Sequence, residues 1–424
     1  MLLGKYYRIK YKIIEFVFYT FYISFFNSIR VFFWKRQDYK NNGNSNRFNK
    51  LPWMLEEDKN FVVIVDDTVP RDDLSAGGKT LINYINIYQK LGYKVKFLPD
   101  DFLKREPYTT NLENKGVEVL YGKWWKKNYT NWLYKNKDKI SFVMLNAPRS
   151  IKYIDFFKKC IKTKVLYYDM DIYFVREKLR YDVTKEKKYL RESKYHKIIE
   201  KNLFNLSDAV LTISEKENKF IKQFINKDNV FTIPCYVYNN YLNINYTAES
   251  RNNLLFVGGD WETANLDGIK WFIEKIFPVI YKKNNSIKLI IVGLYNGNFI
   301  KGYQTDNIRF TGKISDERLK ELYLSSKIAL APLRFGAGVK GKVVEAMYYG
   351  VPIVSTDFGV EGLIPGFEDF ITISNTEQDF ANSILNLYDD KISLEKFSAL
   401  SLTYSKKYFS FEPASKSIID ILKK

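Results

Sequence analysis

The sequence predicts an α/β protein with two doubly wound parallel-sheet domains facing a cleft, preceded by an N-terminal membrane-associated helix. Three observations carry this. Short uninterrupted apolar runs, such as FVVIVD at Phe61–Asp66, have the hydrophobicity of strands buried on both faces. Amphipathic stretches with apolar positions near 3.6-residue spacing alternate with these runs, as in an open parallel sheet covered by helices. The alternation occurs in two series, separated by a polar bridge from Thr232 to Arg251 that is rich in tyrosine and asparagine.

The first 50 residues differ from the rest. Ile13–Trp34 (IIEFVFYTFYISFFNSIRVFFW) is flanked by Lys5, Arg8, Lys10 and Lys12 on one side and by Lys35 and Arg36 on the other. Its length suits a spanning helix, which needs about 20 apolar residues. Glu15, Asn27, Ser28 and Arg30 fit a helix lying in the headgroup region equally well, and packing onto the protein's own surface is the third option. Asp38 to Asn60 is a polar, asparagine-rich linker.

The first domain is expected over 51–245. Its strands are predicted at Phe61–Asp66, Lys94–Leu98, Gly116–Leu120, Ser141–Leu145, Val165–Tyr168 and Ala209–Ile213. The second is expected over 246–405, with strands at Leu254–Val257, Leu289–Val292, Ile308–Phe310, Ala329–Ala331, Pro352–Ser355 and Asp369–Thr372. Residues 406–424 are expected to form a helix that returns to the first domain.

Composition narrows the chemistry. With 424 residues, 46% hydrophobic and 17% aromatic, the chain has enough apolar surface for sizeable cores. Cys160 and Cys235 are the only cysteines, which excludes a disulfide framework and a four-cysteine zinc site. The single histidine, His196, excludes histidine-rich metal sites. It lies in KYHKIIEKNLF, a basic amphipathic stretch, as a surface or core-edge residue without a catalytic assignment. The net charge of +19 points to an anionic partner or to a lysine-rich compositional bias. Nucleic acid is not expected, because no reader motif accompanies the charge.

Ligands of such sheets bind beyond the carboxyl ends of the strands, so the loops there hold the candidates. The most informative is APLRFGAGVKGKVVEAMYYGVPIVST, which begins at Ala331. Gly336 and Gly338 allow the backbone close to a ligand, a helix starts near Gly341, and Arg334, Lys340 and Lys342 crowd the turn. A helix start with adjacent cations suits an anion such as a pyrophosphate. Glu345, one turn further on, suits hydroxyl groups better than phosphate.

The block GAGVKGKVVEAMYYGVPIVST, followed by Gly359, Glu361 and Gly362, resembles the donor-site signature of retaining nucleotide-sugar glycosyltransferases with the GT-B fold. More narrowly, it is similar to family 4, including members that build bacterial surface polysaccharides. The resemblance covers about residues 61–424 and is strongest over Asn253–Leu363. It implies two Rossmann-like domains and a set of donor contacts. Lys340 and Lys342, with Arg334 as helper, would meet the diphosphate, and Glu345 would hold the ribose. Gly258 and Gly259 would face the donor phosphates, and Thr356 and Gly359 would lie in the loop closing the pocket. In SAGGKT, Gly77 and Gly78 match the family's glycine loop near donor phosphate or acceptor; taken alone, the pair equally fits the first turn of a helix.

Two positions depart from the family pattern. Ala337 stands where the first glutamate of the paired motif is expected, which leaves Glu361 and Asp171 as candidate catalytic carboxylates. Tyr173, in YYDMDIYFVRE, stands in the place of a histidine common in related sequences. The resemblance implies a metal-independent enzyme that needs no cofactor beyond its nucleotide-sugar substrate. Asp66-Asp67 and Asp72-Asp73 are expected to serve turns and the pocket rim rather than a metal. Its expected partners are the nucleotide-sugar donor, a lipid-linked or oligosaccharide acceptor, and anionic lipid at the cytoplasmic face of the bacterial inner membrane. The alternatives are a nucleotide-sugar epimerase of the same build and a non-catalytic sugar-binding protein.

Overall fold

A computed structural model describes residues 60–72, 76–336 and 338–423. The expected membrane-associated helix of residues 1–50, together with Asp73, Ser75 and Ala337, lies outside the described residues. Among the described residues no helix is long and apolar enough to cross a membrane.

The chain divides into two units. One runs to Ile233 and includes Ser417–Lys424; the other spans Pro234–Lys416. The sequence predicts these divisions at 245 and 405. The earlier first division follows from the bridge, whose tyrosines belong to the second unit. There Tyr238 N–H donates to the Phe409 carbonyl at 2.8 Å, and the Tyr241 hydroxyl donates to the Ser405 carbonyl at 2.7 Å. The last helix, Phe411–Lys423, ends in the first unit, where its Leu422 carbonyl accepts from Lys164 Nζ at 2.6 Å.

The first unit holds seven parallel strands: β1 (Phe61–Asp66), β2 (Lys94–Pro99), β3 (Glu118–Val119), β4 (Ile140–Asn146), β5 (Lys164–Asp169), β6 (Ala209–Thr212) and β7 (Val230–Thr232). Their order is β3-β2-β1-β4-β5-β6-β7, so the winding reverses between β1 and β4. β1 shows why the apolar run forms a central strand. Val62, Val63, Ile64 and Val65 are fully buried, and β1 pairs in parallel with β2 on one side and β4 on the other. β7, which the sequence reading lacked, is a three-residue edge strand too short to show as an apolar run.

The second unit holds six parallel strands: β8 (Asn252–Val257), β9 (Leu289–Val292), β10 (Ile308–Phe310), β11 (Ser326–Ala331), β12 (Ile353–Ser355) and β13 (Ile371–Ile373). Their order is β10-β9-β8-β11-β12-β13. Strand alternation builds two cores, one on each face. Leu254, Phe256, Ile328 and Leu330 pack with Ile269, Phe272 and Phe380. Their neighbours Leu255, Ala329 and Ala331 pack with Val343, Val344 and Met347. Burying each such large side chain contributes about 1.5–3 kcal/mol, so both faces stiffen the strand ends from which the functional loops spring.

Candidate functional site

In the second unit the winding reverses between β8 and β11, and the loops after these neighbouring strands carry most of the candidate residues. β8 runs into Gly258-Gly259. A Cβ on Gly258 would lie 2.7 Å from the Asn265 side-chain amide and 3.0 Å from Lys342 Nζ. A Cβ on Gly259 would strike the Trp261 ring at 1.8 Å. The glycines thus admit the Asn265, Lys342 and Trp261 side chains close to the backbone. The Tyr295 hydroxyl holds the turn from the next loop by donating to the Gly258 carbonyl at 2.7 Å.

Two helices begin around this turn, Thr263–Trp271 and Gly341–Tyr348, and neither has a side-chain cap. Ser214, Ser315 and Thr376, by contrast, cap the helices they precede. An uncapped first turn offers backbone N–H groups and partial positive charge to an anion. Lys342, in the first turn of Gly341–Tyr348, donates to Asn265 Oδ1, and its ammonium lies 4.3 Å from the centre of the Phe256 ring. Burial and the neighbouring Lys340 charge push its pKa down to about 7, against a smaller opposing pull from Glu262. A lysine so placed gains its charge most readily when an anion arrives beside it.

The other cations are deployed differently. Lys340 donates to the Gly338 carbonyl at 2.7 Å, and its Nζ stands 4.0 Å from the Glu361 carboxylate. Gly336 (φ +124°) and Gly338 (φ +74°) hold backbone conformations that favour glycine. Arg334 is engaged on the helix Thr263–Trp271, where its Nε donates to Asp267 Oδ2 at 2.8 Å. Lys342 is the one whose amine approaches the Gly258 position, at 3.0 Å from where a Cβ would be.

Glu345, one turn beyond Lys342, accepts from the Tyr323 hydroxyl at 3.2 Å. The Tyr323 phenol is held well above its ordinary pKa by burial and by the Glu345 charge. Tyr236 brings its hydroxyl to within 2.6 Å of where a Cβ on Gly341 would be, so this glycine too admits a side chain. Thr356 and Gly359 are buried. The Thr356 hydroxyl donates to the Leu333 carbonyl, and a Cβ on Gly359 would lie 2.1 Å from Ser355 Oγ. Thr356 thus ties the loop after β12 to the loop after β11.

In the first unit, Gly77 and Gly78 lie in the first turn of the helix Ala76–Lys90. A Cβ on Gly78 would be 2.6 Å from the Arg71 carbonyl oxygen, and one on Gly77 would be 3.3 Å from Met170 Sδ. Packing alone therefore accounts for Gly78. Asp171 pairs with Arg176 at 2.8 Å; burial pushes its carboxyl up while Arg176 opposes the shift. The Arg176 guanidinium lies 4.2 Å from the centre of the Tyr173 ring.

The same loop reveals residues that the sequence reading did not bring together. Glu200 accepts the backbone N–H of Tyr173 at 2.8 Å and of Phe174 at 2.9 Å, which satisfies the start of the helix Tyr173–Thr184. His196, one turn before Glu200, packs on Tyr173 with ring centres 5.4 Å apart, and burial pushes its pKa down to about 4. The i, i+4 spacing of His196 and Glu200 was the available signal. Asp66, at the end of β1, accepts from Asn146 Nδ2 at 2.8 Å and from the Asp67 N–H at 2.6 Å. Burial and Asp67 raise its pKa to about 7. Among the described residues no group of three or more His, Cys, Asp and Glu is arranged to hold a metal ion.

The comparisons with known proteins fall on this framework. Residues 251–390, which contain the Gly258 turn and the Lys340–Glu345 segment, match the family Glycosyl transferases group 1. An uncharacterised 44.6 kDa protein in the cps region of Klebsiella pneumoniae is 35% identical over 37% of this chain, and the match spans 44% of that relative's length. HepE of Anabaena, solved in complex with UDP, is similar with a TM-score of 0.60 at 12% identity, covering 86% of this chain and 99% of its own. An S. aureus TarM mutant in complex with fondaparinux, α-GlcNAc-glycerol and UDP gives a TM-score of 0.54 at 18% identity over 70% of this chain and 58% of its own. The resemblance read from the GAGVKGKVVEAM block is thus matched by family and by fold: residues 251–390 match the Glycosyl transferases group 1 model, in a chain of two parallel-sheet α/β units whose fold is similar to that of HepE.

Proposed function

We propose that the protein is a metal-independent, retaining glycosyltransferase that moves a sugar from a nucleotide-sugar donor to a lipid-linked or growing surface glycan. One observation carries the donor site: the Lys342 amine is enclosed between the Gly258 turn and the uncapped start of its own helix. The solved neighbours in complex with UDP make a uridine diphosphate the first ligand to try.

Departure of the nucleoside diphosphate leaves a positively charged sugar and adds negative charge to the phosphates. Fixed donors aimed at that charge stabilise the transition state in a site that excludes water. Lys342 and the first turns of the two uncapped helices would receive the diphosphate, with Lys340 beside them. Glu345, oriented by Tyr323, would accept from the ribose hydroxyls. Asp171 and Glu361 remain the carboxylates proposed to act on the sugar. The basic, aromatic Ile13–Trp34 segment would keep the enzyme at the cytoplasmic membrane face, near a lipid-linked acceptor.

Calorimetric titration with UDP tests the donor site. Wild type should bind, and Lys342→Ala should bind about tenfold or more weakly, as expected for loss of a charge-assisted contact. Equal affinities would refute the assignment. Deletion of residues 1–50 should abolish sedimentation with anionic vesicles and leave UDP affinity unchanged.

A further inference from the structure

We propose that Asn265 is a positioning residue that orients Lys342 and sets its charge for the donor diphosphate, an inference that rests on the diphosphate site proposed above. Asn265 is the third residue of the helix Thr263–Trp271, so its side chain projects from the first turn of one uncapped helix towards the first turn of the other. Its Nδ2 donates to the Gly259 carbonyl at 3.4 Å, and its Oδ1 accepts from Lys342 Nζ. The Gly259 carbonyl can only accept, which turns the amide nitrogen towards it and leaves the amide oxygen for the lysine. One side chain therefore joins the loop after β8 to the lysine on the helix after β11.

The neighbourhood makes this contact decisive. A Cβ at residue 258 would press on both partners, so the glycine there is what lets the amide and the amine meet. The other groups that bear on Lys342 are the like charge of Lys340, the opposite charge of Glu262 and the face of the Phe256 ring. Burial and Lys340 disfavour the ammonium and Glu262 opposes them, while the Asn265 oxygen accepts directly from the amine. With the amine near half-charge at neutral pH, a change in this one acceptor changes the fraction of protein ready to bind a phosphate.

The test is the pH profile of UDP affinity, measured by calorimetry between about pH 6 and 9.5 on the full chain and on Asn265→Asp, Asn265→Ala and Lys342→Ala. Wild-type affinity should break near neutral pH and fall by up to about tenfold per pH unit above the break. Asn265→Asp, which places a carboxylate against the ammonium, should move the break up by about one unit or more. Asn265→Ala, which removes the acceptor, should move it down. Opposite shifts are a signature that a merely structural asparagine does not produce, and either folded variant alone reads its own direction. Loss of affinity in both with the break unmoved would overturn the role of Asn265. If Lys342→Ala binds UDP as wild type does, the diphosphate site itself is at fault.

Discussion

Tyr323 donates its hydroxyl to Glu345 at 3.2 Å from a ring that is almost fully buried. The phenol fixes one carboxylate oxygen. Its ring stacks on Tyr349, with centres 5.1 Å apart, so the donor is itself held. Glu345 is therefore a placed acceptor rather than a solvated acid on a helix face.

A selective defect follows from that placement. Glu345→Ala should weaken UDP binding by about tenfold, the scale of a hydrogen bond to a charged group, and leave inorganic pyrophosphate binding unchanged. Tyr323→Phe should give a smaller loss of the same kind, because it frees the carboxylate without removing it. Parallel titrations with the two ligands make the comparison. Equal losses for UDP and pyrophosphate would place Glu345 at the phosphates instead of the ribose.

Asp66 gives the first unit a pH dependence of definite sign. Its folded pKa, near 7, lies above the ordinary 3.8, so the folded state holds an extra proton between those values. Stability from this group is present at the acid end of that window and is lost as pH rises through it. Asp66→Asn removes the ionisation, so the variant should melt at a pH-independent offset above about pH 7 and gain on wild type between about pH 4 and 7. Glu217, also pushed up to about 7 by burial, acts in the same direction and is untouched by the substitution. The difference between the two melting profiles therefore isolates Asp66. A flat difference across pH 4–7 would mean that Asp66 titrates normally in the fold.

How far these features are legible in the sequence depends on the kind of contact. The central strands of both sheets announce themselves because burial on two faces demands uninterrupted apolar runs, as at Phe61–Asp66 and Leu289–Val292, whereas the short edge strand β7 does not. The lysine-bearing helix start was legible too, because glycines and cations follow one another there within a single loop. Asn265 was not: 77 residues separate it from Lys342, and asparagine is unremarkable at a helix start. Nor was the Asn146–Asp66 pair, whose 80-residue separation is closed only by the parallel pairing of β1 and β4. Arg334 shows the opposite limit. Its place in the loop fits a phosphate contact, yet Asp267 on a neighbouring helix takes up its guanidinium.

Metal dependence separates a cation-lined diphosphate site from one completed by a divalent ion. With Lys342, Lys340 and two uncapped helix starts available, UDP binding and sugar transfer should survive excess EDTA. Loss of transfer in EDTA, with rescue by magnesium or manganese, would overturn the proposal and return Asp66-Asp67 and Asp72-Asp73 to consideration as ligands.

The steric demand at Gly258 yields the last prediction. At Gly258 a methyl group would meet Asn265 at 2.7 Å and Lys342 Nζ at 3.0 Å, and both contacts lie at the ends of side chains. Gly258→Ala should therefore fold, because those side chains can swing away. The movement separates the amide from the amine, so UDP affinity should fall by about tenfold, as in Lys342→Ala. Gly297→Ala is the matched control: nothing lies within 4 Å of its added methyl, and it sits in the first turn of the helix Gly297–Tyr303. The control should bind UDP as wild type does and melt at the same temperature or slightly higher, since alanine restricts the unfolded chain more than glycine. If Gly258→Ala keeps full UDP affinity while Lys342→Ala loses it, the lysine reaches the phosphates without the Gly258 turn, and the geometry proposed for the site is wrong.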